Sequence, residues 1–449
     1  MRSMTLKQLS NILNPNLEVD SNTPVSGIGV DSRYLQPGNV FFALQGKNAD
    51  GHAYLPEASQ KGALAAVVQK SYSGPDYGLI LIKVSNPLET MQFLAQVLLA
   101  GSKARIIAVT GSMGKTTTKD FITALLRTKY RVSASPGNCN SQIGLPLAIV
   151  NNFTGDEDFV VLEMGMDLPG QLANSVRMAP PEIALITCAA LVHAVNFNSL
   201  DHIARTKAEI FSHPKTQLGI LNYDIGNFNE ICQIGTCRKL SFSVAFNHAD
   251  FYLENFFDQI KIHTKGEKSQ TLPPLLLPGI HNRHNFLAAA AVARCLNVSW
   301  DEIRLAMPAL ALPERRLQMI EKNGILFVND SYNANELSIK SALSSLPLPK
   351  HQGRRIAAIG EMLELGKFSS ACHLAVGEFA LKCADAVFCL GEGCAPIYAC
   401  WQKEKRPAAL FMERKELSAA LKAYLKPGDV VLIKGARVLE MWKILDDLW

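Results

Sequence analysis

The run Ile106-Ile107-Ala108-Val109-Thr110-Gly111-Ser112-Met113-Gly114-Lys115-Thr116-Thr117-Thr118 reads as three consecutive pieces of backbone. Its β-branched, apolar start predicts a buried strand. Gly111 breaks the strand, since glycine accepts the backbone angles of a tight turn. From Thr116 onward, Phe121, Ile122, Leu125 and Leu126 recur at helical spacing. Strand, glycine loop and helix together make an anion cradle, because unpaired N–H groups and the helix dipole converge on one point. Lys115 can reach outer phosphates, and the Thr116 hydroxyl is placed to ligate Mg²⁺. The general pattern puts its first glycine where Val109 stands, so the loop is a shortened form. A nucleoside triphosphate is the expected ligand, with Gly111, Ser112, Met113, Gly114, Lys115, Thr116 and Thr117 around its phosphates.

At 449 residues the chain is too long for one core and predicts about two to four domains. With 48% hydrophobic and 19% charged residues, it has the composition of a soluble globular protein. No apolar run approaches the ~20 residues of a membrane helix, and no apolar segment follows the charges of Met1-Arg2-Ser3-Met4-Thr5-Leu6-Lys7 as a signal peptide would require. The 10 cysteines include no Cys-x-x-Cys pair, which predicts reduced thiols and a cytoplasmic protein. A net charge of +5 without a basic stripe argues against nucleic acid.

Residues 1–101 read as a small separate α/β unit. Within it, Asp31-Ser32-Arg33 suits a phosphate or uracil contact, because an arginine fork donates two parallel hydrogen bonds. It suits a solvated surface turn equally well. Gly101-Ser102 is the expected linker into a central doubly wound sheet, 102–312. There Pro136 to Ser141 forms a polar loop, and Phe159 to Gly165 a strand ending in Glu163. Ligands bind at the carboxyl ends of strands in open α/β sheets, so Glu163 can complete a Mg²⁺ shell. His193 and Lys207 follow the next strand; taken alone, each reads as a structural or solvated residue. Phe251 to His263 is expected as one alternating strand before a turn at Lys265–Lys268. Pro278-Gly279-Ile280-His281-Asn282-Arg283-His284-Asn285 precedes an expected helix from Phe286 to Leu296, where its Asn, His and Arg side chains could touch a base or cap the helix. A boundary at Leu312-Pro313 opens a Rossmann-type domain, 313–449, with polar strand ends at Asn329–Asn335, Gly360–Gly366, Gly391–Gly393 and Lys434–Arg437. Its Gly391-x-Gly393 lacks the third glycine of a dinucleotide site, so the domain reads as a lid that closes over substrate.

In this order, the Thr110–Thr117 loop, Gly137-Asn138-Cys139-Asn140, Leu162–Gly165, Lys207–Phe211 and Gly279-Ile280-His281-Asn282 resemble the Mur ligases. These are ATP-dependent amide-bond ligases of peptidoglycan precursor synthesis, and the likeness spans all three domains. Asp330 to Asn335 and Gly360 to Gly366 resemble the family member that adds D-alanyl-D-alanine to UDP-N-acetylmuramoyl-tripeptide. The Asp-Asn-Pro-Arg motif usual in the diaminopimelate-adding member is absent from the sequence.

The resemblance implies a UDP pocket formed by Ser32, Arg33, Gly46 and His52, and further substrate contacts from Asn138, Asn140, Tyr332, Asn333 and Asn335. It implies Thr116 and Glu163 on a first Mg²⁺, His193 on a second, and a Lys207 carbamylated by CO₂. Asn282, Asn285 and Asp330 are the implied adenine and ribose contacts. Arg316 is the implied phosphate arginine, with Arg315 competing because Glu314 replaces a usual glycine. Val195 stands where relatives often carry an acid. The implied partners are UDP-N-acetylmuramoyl-tripeptide and D-Ala-D-Ala, taken by a monomer without nucleic acid or membrane insertion. Another amide ligase of this fold, such as folylpolyglutamate synthetase, and a non-catalytic P-loop switch are the competing readings.

Overall fold

Three parallel-rich sheets follow one another along the computed structural model, which describes residues 2–46, 49–256, 258–350 and 352–448. The first has four parallel strands in chain order: Gly27–Gly29, Asn39–Phe42, Ala65–Gln69 and Ile80–Val84. Alternation sorts its residues by face. Phe41, Ala43 and Val68 pack with Leu55 and Ala58 in a small outer core, while Val40, Phe42 and Val67 join a core continuous with the second domain. Asn151 of the second domain secures that junction. Its amide accepts from Ile28 N at 2.8 Å and donates to Ile28 O at 2.9 Å.

The second sheet has nine strands, and Arg105–Thr110 lies inside it between Phe159–Glu163 and Ile183–Ile186, parallel to both. Ile107 and Val109 pack on the layer containing helices Lys115–Leu126 and Ile280–Cys295. Ile106 and Ala108 pack on the opposite layer with Leu145 and Ile149. The strand is thus buried on both faces, which is why it reads as a continuous apolar run. Register aligns Val109 with Glu163 and Thr110 with Ile186, so three carboxyl ends open on one place.

Two expected elements differ. The alternation from Phe251 to His263 is two antiparallel strands, Phe251–Asn255 and Ile260–Thr264, because polar Asp258 and Gln259 turn the chain; Phe257 lies outside the described residues. The helix expected from Phe286 begins at Ile280 instead, placing His281, Asn282 and Asn285 on its first turns. Its N-cap Gly279 makes no side-chain cap, so none of the three is a capping group. Among the described residues no helix is long and apolar enough to cross a membrane, and all ten cysteines are free thiols.

The third sheet has six strands, with Val430–Lys434 between Ile325–Asn329 and Arg355–Gly360 and one antiparallel edge strand, Gln318–Lys322. A buried ion pair ties the carboxyl ends of two neighbouring strands, Ile325–Asn329 and Val430–Lys434. Lys434 Nζ donates to Asp330 Oδ2 at 2.5 Å, to Asp330 O at 3.1 Å and to Asn333 O at 3.0 Å. Burial lowers the lysine pKa, and the Asp330 carboxylate opposes that shift. Breaking one side of a buried pair strands the other charge, at about 3–5 kcal/mol. Lys434→Met should therefore lower the stability of the C-terminal unit by that much in urea denaturation. Adding Asp330→Asn should recover more than half, and an equal cost in both backgrounds would refute the pairing.

Candidate active site

Two glycines of the loop after Arg105–Thr110 are dictated by space as much as by conformation. A Cβ on Gly111 (φ +151°) would lie 1.8 Å from Thr187 Oγ1, and one on Gly114 (φ +78°) 2.4 Å from Asn285 Oδ1. Ser112 fastens the loop to the neighbouring strand end by donating to Ala190 O at 2.9 Å and accepting from Ala190 N at 2.8 Å. Thr187 Oγ1 donates to Met113 O at 2.6 Å. Helix Lys115–Leu126 then starts with its N–H groups toward the loop, and Lys115 Nζ folds back onto Gly111 O at 2.9 Å. The backbone is thereby set in the shape that cradles an anion before any anion arrives.

Beside it stands a buried carboxylate. Glu163, 1% exposed, accepts from Thr116 Oγ1 at 2.8 Å through one oxygen and from Asn140 Nδ2 at 2.5 Å through the other. Its own N–H donates to Ser135 Oγ at 3.0 Å. Lys119, equally buried, holds the loop that carries Asn138 and Asn140 by donating to Ser135 O at 2.7 Å and Gly137 O at 2.9 Å. One turn along the helix from Lys115, this lysine serves the loop and not a ligand. Nothing in its sequence context distinguished it from a solvated residue.

The loop faces the third domain across a cavity of about 260 Å³. Ser112 to Thr117, Asn138, Asn140, Glu163 and His193 line it from one side; Arg316, Asp330, Tyr332, Asn333 and Asn335 line it from the other. Arg316 stacks its guanidinium 4.2 Å from the Tyr332 ring centre, while Arg315 stacks on Trp442 at 4.1 Å and does not line the cavity. The two competing arginines are therefore separated by position. Asn282 and Asn285 also line the cavity. Asn285 accepts from Thr118 Oγ1 at 3.2 Å and donates to Asn282 Oδ1 at 3.2 Å, and Asn282 donates to Pro278 O at 2.7 Å. His281 beside them has a buried Nδ1 without a partner, and burial pulls its pKa down to about 4, so the ring is neutral.

His193 bridges the two domains. Its Nδ1 meets Glu364 of the third domain, and its Nε2 lies 3.2 Å from Asp167 of the second. Val195 N donates to Glu364 O at 2.9 Å. Both His193 (φ +53°) and Glu364 (φ +59°) hold left-handed backbone, which side-chain-bearing residues seldom adopt. A glutamate from across the cleft thus approaches the histidine whose own loop carries Val195. Lys207 is buried behind the loop, and desolvation together with the Lys115 charge pulls its pKa down to about 7. Among the described residues no group of three or more His, Cys, Asp or Glu could hold a metal ion unaided.

Ser32, Arg33, Gly46 and His52 lie away from this cavity. Arg33 forms a two-point pair with Asp31 at 2.9 and 2.6 Å, and Ser32 donates to Glu57 at 2.7 Å. His52 accepts from Gln69 N at 3.1 Å through Nε2 and sits 2.6 Å from Asp50 through Nδ1. That histidine supports the end of the Gly46–His52 loop, of which Lys47 and Asn48 lie outside the described residues. Asp167, Ser338, Lys434 and Arg437 line the cavity although reading the sequence gave them no site role, and Glu364 reaches the site through His193. Polar residues at strand ends were the available signal for Lys434 and Arg437.

The chain matches the catalytic domain model of the Mur ligase family over residues 24–95, the Mur ligase middle domain over 109–293, and the Mur ligase glutamate ligase domain over 315–437. It is 31% identical to UDP-N-acetylmuramoyl-tripeptide–D-alanyl-D-alanine ligase from Bacillus subtilis (strain 168), over 97% of this chain and 95% of the relative. The crystal structure of MurF ligase from Thermotoga maritima in complex with ADP is similar at a TM-score of 0.78 and 27% identity, covering 94% of this chain and 97% of that one. A crystal structure of MurF from Acinetobacter baumannii shares the fold at a TM-score of 0.88 and 24% identity, covering 100% and 99%. Three domain models in register and full-length identity above 30% place the chain in the Mur ligase family.

Proposed function

We propose that the chain joins D-alanyl-D-alanine to UDP-N-acetylmuramoyl-tripeptide at the expense of ATP, giving ADP and phosphate. The observation that carries this reading is the cavity between two domains, with Lys115, Thr116 and Glu163 on one wall and Arg316, Tyr332 and Asp330 on the other. The printed name of the Bacillus subtilis relative and the ADP complex of the Thermotoga maritima structure support it.

The reaction divides into phosphoryl transfer and acyl transfer. In the first step a terminal carboxylate oxygen of the tripeptide attacks the γ-phosphorus, and the bond to ADP breaks. The protein's work there is positioning and charge neutralisation. The loop N–H groups and Lys115 hold the phosphates, and Arg316 meets them from the facing domain. Asn282, Asn285 and the neutral His281 edge the space for adenine, and Asp330 the ribose. In the second step the dipeptide amine attacks the acyl phosphate carbonyl, and phosphate leaves from the tetrahedral intermediate. Asn138, Asn140, Tyr332, Asn333 and Asn335 border the space where the two substrates meet.

The oxygen pair Thr116 Oγ1 and Glu163 Oε2, 2.8 Å apart, fits a hard cation that completes its shell with phosphate oxygens and water. His193 and a carbamylated Lys207 are the residues that would hold a second ion. Bound magnesium supplies neutralisation of the phosphate charge. Because its pKa is near 7, the Lys207 amine is substantially neutral at pH 7 and able to add to CO₂. Below that pH the ammonium cannot add, so carbamate formation should weaken as pH falls through about 7. The division 1–101, 102–312 and 313–449 assigns the UDP end, ATP and the incoming amine to one unit each. The reading carries with it a cytoplasmic monomer.

Phosphate release from ATP with UDP-N-acetylmuramoyl-tripeptide should depend on added D-Ala-D-Ala; turnover indifferent to the dipeptide would reject the assignment. Lys207→Ala should lose turnover, with excess bicarbonate failing to restore it and short carboxylic acids restoring part. Unimpaired turnover in that variant would remove the carbamate.

A further inference from the structure

Resting on the ligase reading, we infer that Arg437 binds the free carboxylate of the incoming dipeptide and so selects an acid-terminated amine substrate. The cavity must accept one anion beyond the nucleotide phosphates and the reacting tripeptide carboxyl, because the dipeptide carries its own carboxylate. Four lysines and arginines line it among the described residues: Lys115, Arg316, Lys434 and Arg437. Lys115 belongs to the phosphate loop. Lys434 is consumed beneath Asp330. Arg316 and Arg437 approach the same Tyr332 ring, with guanidinium carbons 4.2 and 5.3 Å from its centre. Arg316 is the one assigned to phosphate. Arg437 is exposed, its side-chain contacts being the Tyr332 ring and, through Nη1 at 3.5 Å, the Tyr332 Oη, and it has no carboxylate partner among the described residues. A guanidinium so placed keeps a fork free for two parallel bonds to a carboxylate.

The backbone beneath it is fixed. Ala436 N donates to Glu361 O at 3.2 Å and Glu440 N to Arg437 O at 3.1 Å. Gly435 abuts Gly360 so closely that a Cβ there would sit 2.9 Å from the Gly360 Cα. The loop leaves the carboxyl end of Val430–Lys434, an inner strand of the third sheet, where an open α/β sheet presents ligands. An extended dipeptide spans about 7 Å from amine to carboxylate. A molecule of that length has both ends within the one cleft that Arg437 and the phosphate loop line.

The test uses the full-length enzyme, with initial rates at saturating co-substrates for D-Ala-D-Ala and for its C-terminal amide. Wild type should favour the acid. Arg437→Ala should raise the KM for D-Ala-D-Ala on the order of 100-fold, the worth of a lost charge-assisted pair, and should use acid and amide alike. Arg437→Lys, which keeps the charge and loses the fork, should fall between them. An unchanged KM for D-Ala-D-Ala would overturn the inference. So would a rise confined to ATP or to UDP-N-acetylmuramoyl-tripeptide, which would assign Arg437 to phosphate or to a tripeptide carboxylate. A wild type that ignores D-Ala-D-Ala would overturn the ligase reading itself, and the inference with it.

Discussion

Thr116 donates to Glu163 across 2.8 Å, and that short contact depends on the alignment of two neighbouring strands. The register of Arg105–Thr110 against Phe159–Glu163 places Val109 opposite Glu163, so the loop leaves one strand beside the carboxylate ending the other. A slip of one residue would turn Glu163 to the opposite face and bury it against apolar side chains. The alternating burial of Ile106 to Val109 on two separate cores opposes any such slip. Substrate geometry is thus inherited from core packing.

Buried cations form the second layer of the design. Lys119 and Lys434 are each about 1% exposed, and each binds loop carbonyls at the cleft edge. One fixes the loop bearing Asn138 and Asn140, and the other the loop bearing Asp330 and Asn333. They are paired as well as buried, Lys119 with Asp120 at 3.2 Å and Lys434 with Asp330, which is the condition under which a charge can be kept in the interior. Lys207 is the contrasting case. Burial, with added repulsion from Lys115, pulls its pKa down to about 7.

The sequence carried the strand–loop–helix unit, the carboxylate at a strand end and the three-part α/β order, because each rests on local periodicity or on a glycine with a steric reason. The N-terminal extension of helix Ile280–Cys295 was hidden by its polar first turns, since Asn282 and Asn285 score poorly as helix formers and pack only through tertiary contacts. The division into strands Phe251–Asn255 and Ile260–Thr264 was hidden because apolar and polar residues alternate on either side of the turn. Arg315 and Arg316 are indistinguishable as neighbours in sequence. Two aromatic rings distant in sequence separate their directions, Trp442 under Arg315 and Tyr332 under Arg316. Glu364 is the clearest case of information absent locally. It reaches His193 from another domain, so its relation to Val195 exists only in three dimensions.

A P-loop switch and an amide ligase share the phosphate cradle; they differ in whether a carboxylate oxygen ends on phosphate. The central claim is therefore tested most directly by isotope transfer. With both oxygens of the tripeptide's terminal carboxylate labelled with ¹⁸O, turnover with ATP and D-Ala-D-Ala should place one label in each released phosphate and leave one in the new amide carbonyl. Phosphate released without label, with both labels still on an unligated carboxylate, would contradict the account.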